Sequence, residues 1–273
     1  MRQTMDYFKD KVALISGASR GVGFATAKQL LQAGAKVVIS ARGEQRLLKS
    51  RDELAALGPV AAVTGDVSQV QDCQAMVAAA VENFGGLDIL VNNAGVSMRG
   101  RFRDLSFEVL KSVTSVNLLG SMYLTKAAIE PLIERRGHLV FISSIAGLFG
   151  VPVATAYCAS KGALSGLAES LRLELHDLGV HVGVVYLGFT EHDPEKRILA
   201  ADGSLVKPDR PAHHTQAQAA ELIVKMLRKR KRRLIMTPAG SAGNLLHRIS
   251  PRLLEEAILT AQRNEWKVYK RFS

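Results

Sequence analysis

Apolar, β-branched runs of about six residues alternate with longer helical stretches along most of the 273-residue chain, and this alternation restricts the fold more than any other feature. Strands are expected at residues 11–16, 36–40, 60–64, 87–92, 138–143 and 181–186, with a short seventh at 234–236. The stretches between them read as helices at 21–33, 44–57, 69–84, 107–134 and 157–178, the fourth bent or ended near Pro131. Most of these helical stretches stop at glycine, the residue that best tolerates a left-handed cap: Gly34, Gly58, Gly85 and Gly179. Repeated strand–helix–strand units require right-handed crossovers, hence a parallel sheet with helices on both faces. The expected class is α/β: one doubly wound domain over residues 1–238 with seven parallel strands, then a helical, basic extension over 239–273. Such a fold binds its ligand at the carboxyl ends of the strands.

Composition agrees. Hydrophobic residues make up 47% of the chain and aromatics only 5%, so the core is expected to be Ala, Val, Leu and Ile, as suits strands buried on both faces. The two cysteines, Cys73 and Cys158, lack metal spacing and imply no disulfide framework, which fits a reducing, cytoplasmic setting. Residues 1–10 show no signal-length apolar stretch, and no spanning run of about 18 apolar residues occurs.

After the first strand the chain reads Ser16-Gly17-Ala18-Ser19-Arg20-Gly21-Val22-Gly23 and enters a helix. Glycines let a backbone turn tightly against a pyrophosphate, and the helix start offers free N–H groups and a positive dipole end. The spacing is not the G-x-G-x-x-G fingerprint, and a ligand-free turn is the alternative. The second strand ends Ser40-Ala41-Arg42. An acid is usual here where a ribose 2′-hydroxyl is bound; neutral Ala41, with Arg42 and Arg20 nearby, suits a 2′-phosphate instead, and so NADP(H) rather than NAD(H).

Tyr157 and Lys161 are spaced to share one helix face, a turn apart. A free phenol ionises near pH 10, and a neighbouring ammonium stabilises the phenolate, so the pair can exchange a proton with an alkoxide or alcohol. Ser143 and Ser144 close the fifth strand at the ligand edge, where a hydroxyl can hold a carbonyl oxygen. Ser144 as a hydrolase nucleophile lacks the Gly-x-Ser-x-Gly elbow, and as a purely structural residue it would cap the next turn.

Together these motifs resemble the short-chain dehydrogenase/reductase family, of the NADP-preferring type. The glycine turn is similar to its Thr-Gly-x-x-x-Gly-x-Gly pattern with Ser16 in the threonine position, and Asn92-Asn93-Ala94-Gly95 to its Asn-Asn-Ala-Gly signature. Asp66-Val67 resembles the adenine-contacting pair after the third strand, and Asn117 the helix asparagine. Ser144 precedes Tyr157 by thirteen residues, as in the family, and the likeness runs in order over residues 10–190. The resemblance implies a Rossmann-like oxidoreductase with catalytic Asn117, Ser144, Tyr157 and Lys161. Tyr157 would be the general acid or base, Lys161 would lower its pKa and hold the nicotinamide ribose, Ser144 would orient substrate, and Asn117 would support a proton relay through water. Gly17, Ser19, Arg20, Gly21, Val22, Gly23, Ser40, Arg42, Asp66, Val67, Asn93, Ala94, Gly95 and Thr190 would line the cofactor, with Tyr157 and Lys161; no metal is implied. Members are dimers or tetramers built on long helices, which points to 107–134 and 157–178. Leu187-Gly188 departs from the usual Pro-Gly, and His192 from the usual threonine.

The remaining residues bear on substrate. Residues 188–214 read as a mobile lid, and Met98, Leu148 and Phe149 as candidates for an apolar pocket or for ordinary packing. Residues 221–273 carry 13 of the 36 Lys and Arg but only 4 of the 25 acids, and 225–233 are basic at seven of nine positions. Leu245, Leu246, Ile249, Leu253, Leu254, Ala257 and Ile258 follow at helical spacing, then Trp266, Tyr269 and Phe272 among cations. That pattern suits a helix docked on anionic membrane with a lipid-like substrate, or one capping the pocket or a dimer. No nucleic-acid motif is present. The competing functions are a dinucleotide-binding or basic-tail interaction protein without catalysis, and epimerase or dehydratase chemistry on the same scaffold.

Overall fold

A computed structural model describes residues 7–191, 193–208 and 212–263. Seven parallel strands form one sheet: β1 (Val12–Ser16), β2 (Lys36–Ala41), β3 (Val60–Thr64), β4 (Ile89–Asn92), β5 (His138–Ser144), β6 (His181–Leu187) and β9 (Arg233–Ile235). They lie in the order β3-β2-β1-β4-β5-β6-β9. The order reverses between β1 and β4, so the crevice beyond their carboxyl ends is the ligand site of this topology. Alternate side chains of each strand enter opposite layers. Leu14, Leu139 and Phe141 pack towards α3 (Val70–Phe84), α5 (Gly120–Glu134) and α6 (Thr155–Glu174). Ile15, Val140 and Ile142 pack towards α1 (Gly21–Gln32), α2 (Glu44–Ala55) and α7 (Gln216–Arg228). Burial on both faces explains why these strands read as unbroken apolar runs.

Three expectations are corrected. The stretch 107–134 is α4 (Phe107–Thr114), a π-helical turn at Ser115–Leu119, then α5, and it runs on through Pro131 to Glu134. Pro131 stands in the last turn, where its missing N–H removes a single helical bond. Residues 188–214 are not simply a loop: β7 (Ile198–Leu199) pairs antiparallel with β8 (Leu205–Val206), and Leu199 exchanges backbone hydrogen bonds of 2.9 Å with Ser97 and Arg99. The extension is not one helix. Ser250-Pro251 divides α8 (Pro238–Ile249) from α9 (Pro251–Arg263), because a proline N lacks the hydrogen to carry the ladder on. Trp266, Tyr269, Phe272 and His192 lie outside the described residues.

Candidate active site

The glycine turn is held from below by the segment after β4. Ser16 Oγ accepts the Asn93 and Ala94 N–H groups at 3.1 Å each, and Asn93 Nδ2 donates to the Ser16 and Gly17 carbonyls at 2.9 and 3.0 Å. The Asn93 side chain is therefore a buckle between β1 and β4, and its amide is already engaged with backbone carbonyls. Two glycines make the approach possible. A Cβ on Gly17, whose φ is +65°, would stand 2.8 Å from Ala94 Cα, and one on Gly23 would stand 2.5 Å from Asn93 Nδ2. Gly21 differs: its φ is +66°, yet nothing lies within 4 Å of where a Cβ would be. No side chain caps α1 at Arg20, which leaves its first N–H groups available to a ligand. An open turn, an uncapped helix start and no acid in the first turn fit a cofactor pyrophosphate.

On the adenosine side the expected residues separate. Arg42 lies 3.6 Å from Asp66, and Asp66 Oδ1 accepts the Ser68 N–H at 2.9 Å. Ser40 is fully buried, and its hydroxyl has no partner among the described residues, so it supports the strand end from beneath and does not line a surface. Val67 is buried too, against Gly120: a Cβ there would meet Val67 Cγ2 at 2.7 Å. Sequence reasoning missed Arg46 of α2, whose Nε donates to the Ser19 carbonyl at 3.4 Å.

Lys161 is buried, and its Nζ donates to the Ile142 carbonyl at 2.8 Å. An ammonium has three N–H bonds, so two remain for other acceptors. Burial, with a lesser contribution from the charge of Lys196, lowers its pKa to about 8. Asn117 sits in the π-helical turn, a distortion that often marks functional positions. Its Oδ1 accepts the Val96 N–H at 2.8 Å, and its Nδ2 donates to the Val96 carbonyl at 3.0 Å and to Ser160 Oγ at 3.1 Å. Asn117 and Lys161 converge on Gly95, where an added Cβ would lie 3.1 Å from Asn117 Oδ1 and 3.3 Å from Lys161 Nζ. Ser160 Oγ in turn donates to the Tyr157 carbonyl at 2.9 Å. Ser160 thus ties Asn117 to the first turn of α6, which carries half-buried Tyr157. Ser143 Oγ donates to the Lys161 carbonyl at 2.8 Å and fixes α6 against the end of β5. Ser144 Oγ accepts the Ala146 N–H at 3.2 Å, a bond that leaves its own hydrogen available. Ser160 carries no local signal in the sequence, since its bond to Asn117 joins residues 43 positions apart; Ser143 was legible as a strand-end hydroxyl, but not its bond to Lys161.

Of the candidates for the outer wall, Met98 and Phe149 take the packing alternative. Met98 is wholly buried with Val109, Val113 and Ala156, and Tyr157 packs on that cluster, so Met98 is core. Phe149 meets α8 instead. A Cβ on Gly243 would stand 2.9 Å from the Phe149 ring, and one on Gly240 2.8 Å from Ile145 Cδ1. Two glycines three residues apart thus lay α8 over the segment that follows Ser144. Thr190 is buried after β6, its hydroxyl donating to the Gly188 carbonyl at 3.2 Å. Among the described residues no group of three or more His, Cys, Asp and Glu could hold a metal ion.

Comparison with known proteins places this geometry. The chain is 34% identical to the 3-ketodihydrosphingosine reductase of Bos taurus over 225 residues, 76% of this chain and 68% of the relative. A short chain dehydrogenase/reductase of Burkholderia phymatum, solved in complex with NAD, superposes with a TM-score of 0.80 at 28% identity, over 90% of this chain and 95% of that one. The F189W actinorhodin polyketide ketoreductase with NADPH gives 0.65 at 37% identity, over 66% and 71%. A fold of this kind binds a nicotinamide dinucleotide, and the crevice between β1 and β4 is where that cofactor fits. Residues 11–202 match the short chain dehydrogenase model, and the chain belongs to the short-chain dehydrogenase/reductase family of oxidoreductases.

Proposed function

We propose that the protein is an NADP(H)-dependent reductase or dehydrogenase acting between a carbonyl group and a secondary alcohol. The observation that carries the reading is that Asn117 and Lys161 meet at Gly95, with Ser160 tying Asn117 to the helix turn that bears Tyr157 and Ser143 tying Lys161 to the strand end that bears Ser144. When bound, the nicotinamide supplies or accepts the hydride. Tyr157 gives its phenolic proton to the oxygen that becomes the alcohol, or takes it back in oxidation. Lys161 holds positive charge beside that phenol and offers its free N–H bonds to the nicotinamide ribose. Ser144 donates to the substrate oxygen and so fixes the carbonyl for hydride attack. Asn117 acts by holding the Val96 backbone and α6 in register around the relay.

Gly17, Ser19, Gly21, Val22, Gly23, Ala94 and Gly95 form the cofactor cradle, and Thr190 stands beside the nicotinamide amide. Preference for NADP(H) is supported by neutral Ala41 at the end of β2 and by the cations Arg20, Arg42 and Arg46 around the expected ribose position. A lipid-like substrate is supported by the 3-ketodihydrosphingosine reductase relative and by the outer faces of α8 and α9. There Leu245, Ile249 and Leu253 are exposed, interleaved in the chain with Arg248 and Arg252, a pattern that suits membrane docking. Phe107 and Leu173, exposed on α4 and α6, suit a dimer or tetramer built on those helices.

The test is a carbonyl-substrate screen read by NADPH absorbance, with NADH in parallel and Tyr157→Phe as control. NADPH oxidation that the variant loses supports the reading; full turnover in Tyr157→Phe refutes it. Co-sedimentation with anionic liposomes should weaken in Ile249→Glu, and equal sedimentation would remove the membrane contact from the proposal.

A further inference from the structure

The guanidinium groups around the glycine turn are already engaged, and with acids from a distant part of the chain. Arg46 stands at the start of α2, anchored through Nε to the Ser19 carbonyl, which also accepts Ser50 Oγ at 2.8 Å. These two bonds tie α2 to the glycine turn and aim the rest of the Arg46 guanidinium past it. From the opposite side the segment after β6 delivers two carboxylates. Asp193 is hydrogen-bonded to Arg46 and lies 3.9 Å from Arg20, and Glu195 pairs with the same Arg46 guanidinium. The Asp193 side chain is only 15% exposed, against 69% for Glu195, and its Oδ1 also accepts the Glu195 N–H at 2.9 Å. Arg42, by contrast, faces Asp66.

A carboxylate held between two guanidinium groups at the rim of the glycine turn identifies an anion site. We propose that Asp193, seconded by Glu195, is an internal occupant of the anion site that Arg20 and Arg46 form, so that this segment and a phosphomonoester on the cofactor's adenosine ribose exclude one another. The inference rests on the NADP(H) reading above and deepens it. A phosphomonoester brings nearly two charges and three acceptor oxygens against the single charge of a carboxylate, so it competes well for both guanidiniums. A cofactor without that phosphate leaves the acidic latch shut. The latch also reaches the reaction centre. Lys196, whose N–H bonds the Asp193 carbonyl at 2.8 Å, sits close enough to Lys161 for its charge to oppose protonation there. Release of Asp193 therefore moves a cation relative to the ammonium beside Tyr157.

Calorimetric titration of the full chain with 2′,5′-ADP and with 5′-AMP tests the proposal, since the two ligands differ only in the ribose phosphate. Wild type should prefer 2′,5′-ADP. Asp193→Asn should tighten 2′,5′-ADP about fivefold and leave 5′-AMP within about twofold, and Glu195→Gln should act in the same direction with a smaller effect. Arg46→Gln should weaken 2′,5′-ADP about tenfold, again sparing 5′-AMP. Unchanged or weaker 2′,5′-ADP binding in both Asp193→Asn and Glu195→Gln would overturn the latch while the wild-type preference kept the NADP(H) reading intact. A wild type that treats the two ligands alike would overturn both. Retained 5′-AMP binding in each variant shows that the fold is preserved.

Discussion

Acid should unfold this protein earlier than its carboxylates alone would cause, because buried His138 and half-buried His181 are held in neutral form at the amino ends of β5 and β6. His138 and His181 face each other with ring centroids 5.3 Å apart, and His138 Nε2 bonds Tyr7 Oη at 2.7 Å. Burial, then the neighbouring His181, Arg230 and Lys11, lowers the His138 pKa to about 3. Burial, then Arg230, Arg172 and Arg232, lowers that of His181 to about 4. In the unfolded chain both return to about 6.5. The unfolded state therefore binds more protons between those values, and stability falls as the pH drops through 6.5 towards 4. At pH 5 the linkage amounts to about 2 kcal/mol for His138 relative to pH 8, and to less for the partly exposed His181, where solvent screens the neighbouring charges. Together these are a sizeable part of a typical domain stability of about 5–15 kcal/mol. Urea unfolding followed by circular dichroism at pH 8, 6.5 and 5 measures it, with His138→Gln/His181→Gln as the non-titrating comparison. Carboxylate contributions are common to both proteins and cancel. A double variant that loses as much stability from pH 8 to pH 5 as the wild type would refute the reasoning.

Other outcomes follow from single contacts. Tyr157→Phe should lower turnover by about 10²–10⁴-fold, the usual share of a general acid, with an unchanged melting curve. Gly17→Ala combines a left-handed φ with a Cβ placed 2.8 Å from Ala94 Cα, and should cost about 2–3 kcal/mol in thermal unfolding. Lys161 loses its proton as the pH rises through about 8, so cofactor dissociation constants measured by fluorescence should rise above that pH; a flat profile to pH 9.5 would contradict this. Gly243→Val drives bulk into the Phe149 ring 2.9 Å away and should raise KM for substrate more than it lowers kcat, since α8 covers the wall and not the relay.

Much of this protein is written in short-range patterns. Strand runs that feed both layers, glycines that stop helices, and the spacing of Tyr157 to Lys161 all depend on neighbours within a few residues, and a linear reading captures them. The parallel direction of the strands and the helices on both faces followed from the alternation of elements, whereas the strand order came from the structure. Other features depend on residues that meet only after folding. That Ser40 is buried and that the Asn93 amide is engaged with Ser16 and Gly17 came from the packing of β1 against β2 and β4. The π-helical turn around Asn117 adds one residue to a helix without altering its apolar period enough to be read. Arg46 and Asp193 are 147 positions apart and carry no mutual signal, yet tertiary structure sets one against the other at the mouth of the site. The sequence by itself determined the parallel sheet, the glycine turn and the one-turn spacing of Tyr157 and Lys161, because these rest on local geometry. Only the tertiary structure decided which acids pair with the cations around the glycine turn, because electrostatic partners are chosen by distance in space and not along the chain.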